Sequence, residues 1–328
     1  MAQTLSTSQF DAALQAVEAD GASAEEKAEM LMEIAMGMQE RPKSPQQLHQ
    51  AVALYERALA TCPADAPLLA ARVRARMACA LYAMPDGGLE ALYKAQAAFE
   101  DCLPTFKERG SLEEVAEVEM NLGLVLQALA SLGKARIHDA IQCYHRALRV
   151  FTRPTYTREF SLLHNNLAIA YLSIPLSDEK GKMREALAVQ SFEEVLKVVN
   201  LIDFPSEYAM IQNNLGNALQ YAASGHPLEN NLRALGAYDE ALKVRNARDT
   251  PIEYANTISN KANVLRNLPD DDLGGAHRRE ARALYEEARA IFLRFHQEGS
   301  VAVVDEALAE LGEEAVSTSA RSNGAARQ

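Results

Sequence analysis

The chain lacks any stretch approaching the roughly 20 consecutive apolar residues a bilayer-spanning helix needs, so no membrane span is expected. It lacks the period-2 alternation of apolar and polar residues that marks half-buried strands, which excludes a sheet protein. Basic residues are in deficit, 33 Lys and Arg against 45 Asp and Glu, for a net charge of -12. Nucleic acid and anionic membrane both reward a basic patch, so neither is the expected partner. The local cluster Arg72, Arg74, Arg76 reads as a solvated helix face. The cysteines, Cys62, Cys79, Cys102 and Cys143, form no Cys-x-x-Cys, which fits reduced, packed thiols better than a disulfide framework or a zinc site. The first ten residues hold neither a basic segment nor an apolar core of a secretory signal, and a cytoplasmic compartment is the expectation.

Catalytic signatures are missing as well: there is no phosphate loop, no dinucleotide-binding glycine pattern, no His-Glu-x-x-His and no nucleophile elbow. Cys143 and His145 lie two apart on a helical pattern and face different directions, which does not make a nucleophile pair. The acidic run Asp270, Asp271, Asp272 reads as a solvated loop rather than a cation site. Neither catalytic residue, metal nor cofactor is assigned, and the chain is read as a non-enzyme.

What the sequence does contain is itself, repeated. Residues 207–219, Glu-Tyr-Ala-Met-Ile-Gln-Asn-Asn-Leu-Gly-Asn-Ala-Leu, recur at 253–265 as Glu-Tyr-Ala-Asn-Thr-Ile-Ser-Asn-Lys-Ala-Asn-Val-Leu, with weaker copies at 159–171 and 114–126. A fixed-period repeat marks a solenoid, whose units bury apolar faces only against their neighbours. A second ruler runs beside the first: an aromatic followed three positions on by a small or aliphatic residue. Tyr55 with Ala58, Phe99 with Cys102, Tyr144 with Ala147, Phe192 with Val195, Tyr238 with Ala241 and Tyr285 with Ala288 line up at separations of 44, 45, 48, 46 and 47. Each ring is expected to fill a hole in the preceding helix, and the small residue to let two backbones approach.

The expected architecture is all-α: a solenoid of about six antiparallel helix pairs over residues 25–298. First helices are expected at 25–40, 66–84, 112–132, 156–174, 206–223 and 252–267. Residues 1–24 read as an arm or short capping helix, with Ser23 able to cap the helix after it; 299–316 read as a closing helix and 317–328 as a disordered tail. Thr250-Pro251-Ile252-Glu253 has the form of a capping box with proline at the first helical position.

These units resemble the tetratricopeptide repeat, with Leu-Gly-x-x-Tyr on the first helix and Ala-x-x-x-Phe and a following Ala on the second. Leu122-Gly123, Leu167-Ala168 with Tyr171, and Leu215-Gly216 match the first; Ala51 with Tyr55, Ala140 with Tyr144, and Ala234 with Tyr238 match the second. Lys261-Ala262 departs from Leu-Gly, and the first two first-helices fit poorly. The period exceeds the family's 34 residues, with the surplus placed in loops at 178–182, 224–231 and 269–275. The resemblance implies a right-handed superhelix whose first helices line a concave groove for a peptide or helix of a partner protein.

Asparagines are the residues most in need of a reason, since each costs about 0.6 kcal/mol relative to Ala inside a helix. Asn213, Asn214 and Asn217 fall within about one turn and Asn256, Asn260 and Asn263 within about two, with Asn267 a turn later and Asn121 and Asn166 in earlier copies. An amide offers donor and acceptor together and suits a peptide unit of any sequence. The resemblance implies that these amides grip an extended peptide; the alternative is that they bond neighbouring first helices and hold the stack. Tyr221 and Arg266 could extend the same face. A carboxylate clamp of the kind some relatives carry would have only Lys261 and Arg266 to draw on. The expected function is a protein-binding scaffold or adaptor; an assembly chaperone and a permanent structural subunit are the alternatives, and self-association stays open.

Overall fold

The computed structural model describes residues 15, 17, 21–40, 42, 44–153, 155–174, 179–222, 226–269 and 275–325, with side chains up to residue 312. Among them there is no strand; the elements are helices, α1 (Ala24–Glu40), α2 (Pro45–Thr61), α3 (Pro67–Ala83), α4 (Gly88–Arg109), α5 (Leu112–Ser131), α6 (Ile137–Ala147), α7 (Thr157–Leu172), α8 (Glu179–Leu196), α9 (Pro205–Gln220), α10 (Pro227–Leu242), α11 (Pro251–Asn267), α12 (Ala276–Arg294) and α13 (Glu298–Ala325). Odd-numbered helices up to α11 are the first helices of the repeat, and the even-numbered ones are the second. The chain divides into two compact units, residues 1–166 and 167–328.

In the first unit α1 packs on α2, α3 on α4 and α5 on α6. The aromatic ruler is the core of each hairpin: Tyr55, Phe99 and Tyr144 are sealed from solvent, as are Ala58, Cys102 and Ala147 three positions on. Burying such a ring stabilises by about 1.5–3 kcal/mol. Ser111 and Glu114 form a capping box at the start of α5, and its end is turned by Gly133 at φ 68, where a side chain would be strained. Ser23 caps α1 as expected, accepting from the Glu26 backbone N–H at 3.3 Å while Glu26 reaches back at 2.8 Å. Val17, from the segment expected to be an arm, is buried against the α1–α3 core.

In the second unit α9 packs on α10 and α11 on α12, and α13 closes on α12. Phe192, Tyr238 and Tyr285 are sealed in the same way. Three boundaries differ from the sequence reading. Part of the lengthened loops is helical: 179–182 lie in α8, and 227–231 in α10, which Pro227 opens at a position where its missing N–H costs nothing. Residues 226, 269 and 275 lie outside any helix, and the rest of these loops, the run 270–272 included, falls outside the described residues. Thr250 does not form the expected capping box: its hydroxyl turns back to Asn246, accepting from that backbone N–H at 3.0 Å, while Pro251 does open α11. Helix α13 passes 316 and runs through Ala325, into the segment expected to be disordered; between Gly312 and Gly324 the sequence holds no glycine or proline to stop it.

Candidate functional site

The second unit gathers the asparagines, and the reason lies in how each hairpin closes. On α9 the Tyr238 ring from α10 lies where a Cβ on Gly216 would be, 2.6 Å away, so only glycine lets the helices approach this closely. Gly123 does the same for Tyr144 in the first unit, at 2.5 Å. In these two hairpins, and in those of Tyr55 and Tyr285, the tyrosine hydroxyl lies beside an amide of the first helix and donates to it. Tyr55 donates to Gln39 Oε1 at 2.8 Å and Tyr144 to Gln127 Oε1 at 2.7 Å. Tyr238 donates to Asn217 Oδ1 at 2.7 Å and Gln220 Oε1 at 3.1 Å, and Tyr285 to Asn263 Oδ1 at 2.5 Å. A buried hydroxyl without such a partner would cost about 1–3 kcal/mol. Asn217 and Asn263 therefore close hairpins, a role the sequence reading did not give them.

One turn earlier the amides meet one another. Asn213, 8% exposed, donates to Asn214 Oδ1 at 3.3 Å and accepts from Asn260 Nδ2 of α11 at 3.4 Å. The first unit repeats the local pair: Asn165 donates to Asn166 Oδ1 at 3.3 Å. Asn213 thus ties α9 to α11, while Asn214 and Asn260 stay only half-buried. The structure brings Asn213, Asn214 and Asn260 into one cluster, with Asn217 a turn away; Asn256 and Asn267 project into solvent from α11.

The basic candidates are engaged within the protein. Arg266 pairs with Glu310 of α13 at 2.5 Å, and Lys261 bridges Asp239 at 2.8 Å and Glu280 at 3.7 Å. Lys261 stands where the repeat has leucine, held by carboxylates of α10 and α12. Tyr221, just past α9, is 68% exposed. With Tyr171, Leu172, Glu185 and Asn217 it lines a cavity of about 280 Å³. Glu185 is 5% exposed and escaped the sequence reading, because nothing in its local pattern separates it from the solvated glutamates around it.

The first unit has a second concavity that the sequence did not reveal, about 250 Å³ between α1, α3 and α5. Met32 and Met36 form one side, and Arg72 and Arg76 the other, paired with Glu114 at 2.7 Å and Glu117 at 2.9 Å. The basic cluster of α3 is thus partly a set of inter-repeat ion pairs rather than a wholly solvated face. Burial pushes the Cys79 and Cys143 thiols up to about 12 and Cys102 up to about 11, so all three stay protonated and unreactive at neutral pH. Among the described residues no group of His, Cys, Asp and Glu could hold a metal ion, and no helix is long and apolar enough to cross a membrane.

No protein-family model and no curated protein matches the sequence. Solved structures do match. The apo quorum sensor NprR from B. thuringiensis is 17% identical with TM-score 0.63, covering 89% of this chain and 72% of its own. NprR in complex with its cognate peptide NprX is 16% identical with TM-score 0.55, covering 98% and 85%. The signal-transduction ATPase with a tetratricopeptide repeat sensor, PH0952 from Pyrococcus horikoshii, is 14% identical with TM-score 0.54, covering 95% of this chain and 45% of its own. The fold is that of a tetratricopeptide-type helical repeat.

Proposed function

We propose that this chain is a non-catalytic binding module that takes an extended peptide segment of a partner protein along the amide-bearing face of α9 and α11. The observation that carries the reading is the Asn213, Asn214, Asn260 cluster: adjacent first helices are joined amide to amide, yet two of the three side chains keep part of their surface open. Amides presented in this way complement the N–H and C=O of a passing backbone whatever its side chains. The peptide complex of the similarly folded NprR supports the class of ligand. No feature of the described residues favours a chaperone or a permanent subunit over this reading, and the protein is proposed to act in the cytoplasm.

The test is selection of random peptides on the full chain, followed by affinity measurement with the variant N214A/N256A/N260A. Losing two or three amide hydrogen bonds should weaken the selected peptides about tenfold or more. Melting should change by no more than about 1 kcal/mol, since alanine's helix propensity offsets the lost bond within the stack. Failure to select any peptide, or equal affinity in parent and variant, rejects the proposal.

A further inference from the structure

We infer that the cavity between α1, α3 and α5 is an anchor pocket for one large uncharged side chain, leucine or phenylalanine, of a peptide segment whose backbone is held by the Asn121 amide. The pocket lies in the first unit, and it stands or falls apart from the peptide face proposed on α9 and α11.

Three observations converge. First, Asn121 has an amide to offer. It stands at the repeat position that Asn166, Asn214 and Asn260 also occupy, directly before a Leu-Gly, Leu-Ala or Lys-Ala pair. Asn166 and Asn214 accept from the asparagine just before them, and Asn260 donates to Asn213. In α5 the preceding residue is Met120, which has no amide to give, and among the described residues Asn121 makes no hydrogen bond while lining the cavity. Its carbonyl and NH2 together match one peptide unit. Second, the space beside it is apolar and of side-chain size. Phe99, Phe106 and Val118 are buried, whereas Met32, Met36 and Ala75 are only half-buried and lose water under an occupant. The volume of about 250 Å³ exceeds the roughly 150 Å³ that holds benzene in an apolar protein cavity. Met32 and Met36, one turn apart on α1, are unbranched and can repack around either guest. Third, the charged groups of the lining call for no counter-charge. Arg72 is paired with Glu114 at 2.7 Å and Arg76 with Glu117 at 2.9 Å, and Glu33 is exposed to solvent. A charged guest would compete with these pairs, whereas an apolar one leaves them intact.

The experiment titrates Nα-acetyl-leucine methylamide, its alanine, lysine and glutamate analogues, and toluene into isotope-labelled full-length protein, reading the Met32 and Met36 methyl groups and the Asn121 side-chain amide by NMR. The leucine compound should shift all three signals, and the three analogues none at the concentration where the leucine compound is half-bound. Asn121→Ala, which costs the helix nothing, should weaken the leucine compound about threefold to tenfold and leave toluene unaffected. Ala75→Leu, which fills the cavity from α3, should abolish the methionine shifts with the circular dichroism melt retained. If Ala75→Leu fails to fold, Asn121→Ala and the contrast between leucine and its analogues still decide. An analogue that matches the leucine compound, no response at Met32 and Met36, or a leucine affinity indifferent to Asn121→Ala overturns the inference. Binding of toluene without the leucine compound marks an apolar void that takes no peptide, and overturns it as well.

Discussion

At the scale of single residues the fold turns on a contact between a ring and a glycine. Because a Cβ on Gly216 would sit 2.6 Å from the Tyr238 ring, Gly216→Ala must push α9 and α10 apart or displace the ring. We expect a loss of about 1–3 kcal/mol in chemical denaturation, the usual cost of overpacking a closed core. The same rings make the protein sensitive to alkali. Burial pushes the Tyr285 hydroxyl up to about 12, against about 10 in an unfolded chain. The folded state therefore favours the neutral phenol, and that stability is fully present below pH 10 and lost as pH rises from about 10 through about 12. The share of tyrosinate absorbance that belongs to the sealed rings should lag until the helices melt and then appear together with loss of helicity; independent titration of all tyrosines near pH 10 in the folded protein would contradict this. The sequence showed the sealed rings, because they recur at a constant separation with a small residue after each. It did not show what their hydroxyls bond, because the partner shifts between Gln39, Gln127, Asn217 and Asn263, at different distances along the chain. Asn217 and Asn263 stood out by their shared repeat position, and nothing in that pattern announced that each also bonds a hairpin tyrosine.

At the scale of helices, charged groups as well as apolar ones set how neighbouring hairpins meet. Glu119 of α5 has a side chain 2% exposed and accepts from Arg146 of α6 at 2.7 Å, with Lys107 of α4 at 3.7 Å. Removing one member of a buried pair leaves the other uncompensated, at a cost of about 3–5 kcal/mol where both are buried. Arg146 keeps access to solvent, so Glu119→Ala should cost about 2–3 kcal/mol in thermal or denaturant unfolding, and Glu119→Gln clearly less. Equal losses for the two variants would mean that volume, not charge, matters at this junction. Such pairs were not legible in the sequence, where Glu119 is one acid among several on α5. Helix identities were legible because their apolar stripes repeat. Their edges were less so: a Thr-Pro-x-Glu sequence looks like a capping box, but the Thr250 hydroxyl finds Asn246 closer to hand.

At the scale of the whole molecule, a repeat protein must cover the apolar face its last hairpin leaves open. Helix α13 does so by placing Val304, Ala307 and Leu311 against the core around Tyr285 and Phe292. Truncation after Gln297 should remove roughly 4 kcal/mol of apolar burial from this region. Hydrogen exchange should then speed up first in α12 and α11, with the first unit retaining its protection; uniform loss along the chain would show that the array unfolds as a single block. The closing helix was legible from its stripe, although not its length.

The tyrosine hydroxyls that end on Asn217 and Asn263 give the molecule a built-in sensor. The chain holds eleven tyrosines and no tryptophan, so its near-ultraviolet absorption beyond the phenylalanine bands and its phenolic vibrational signals belong to one chromophore type. Anything that draws electron density from the outer edge of Asn217 alters how firmly its oxygen holds the Tyr238 proton. Occupancy at the rim should accordingly be readable, without a label, as a frequency change in a ring that no guest touches.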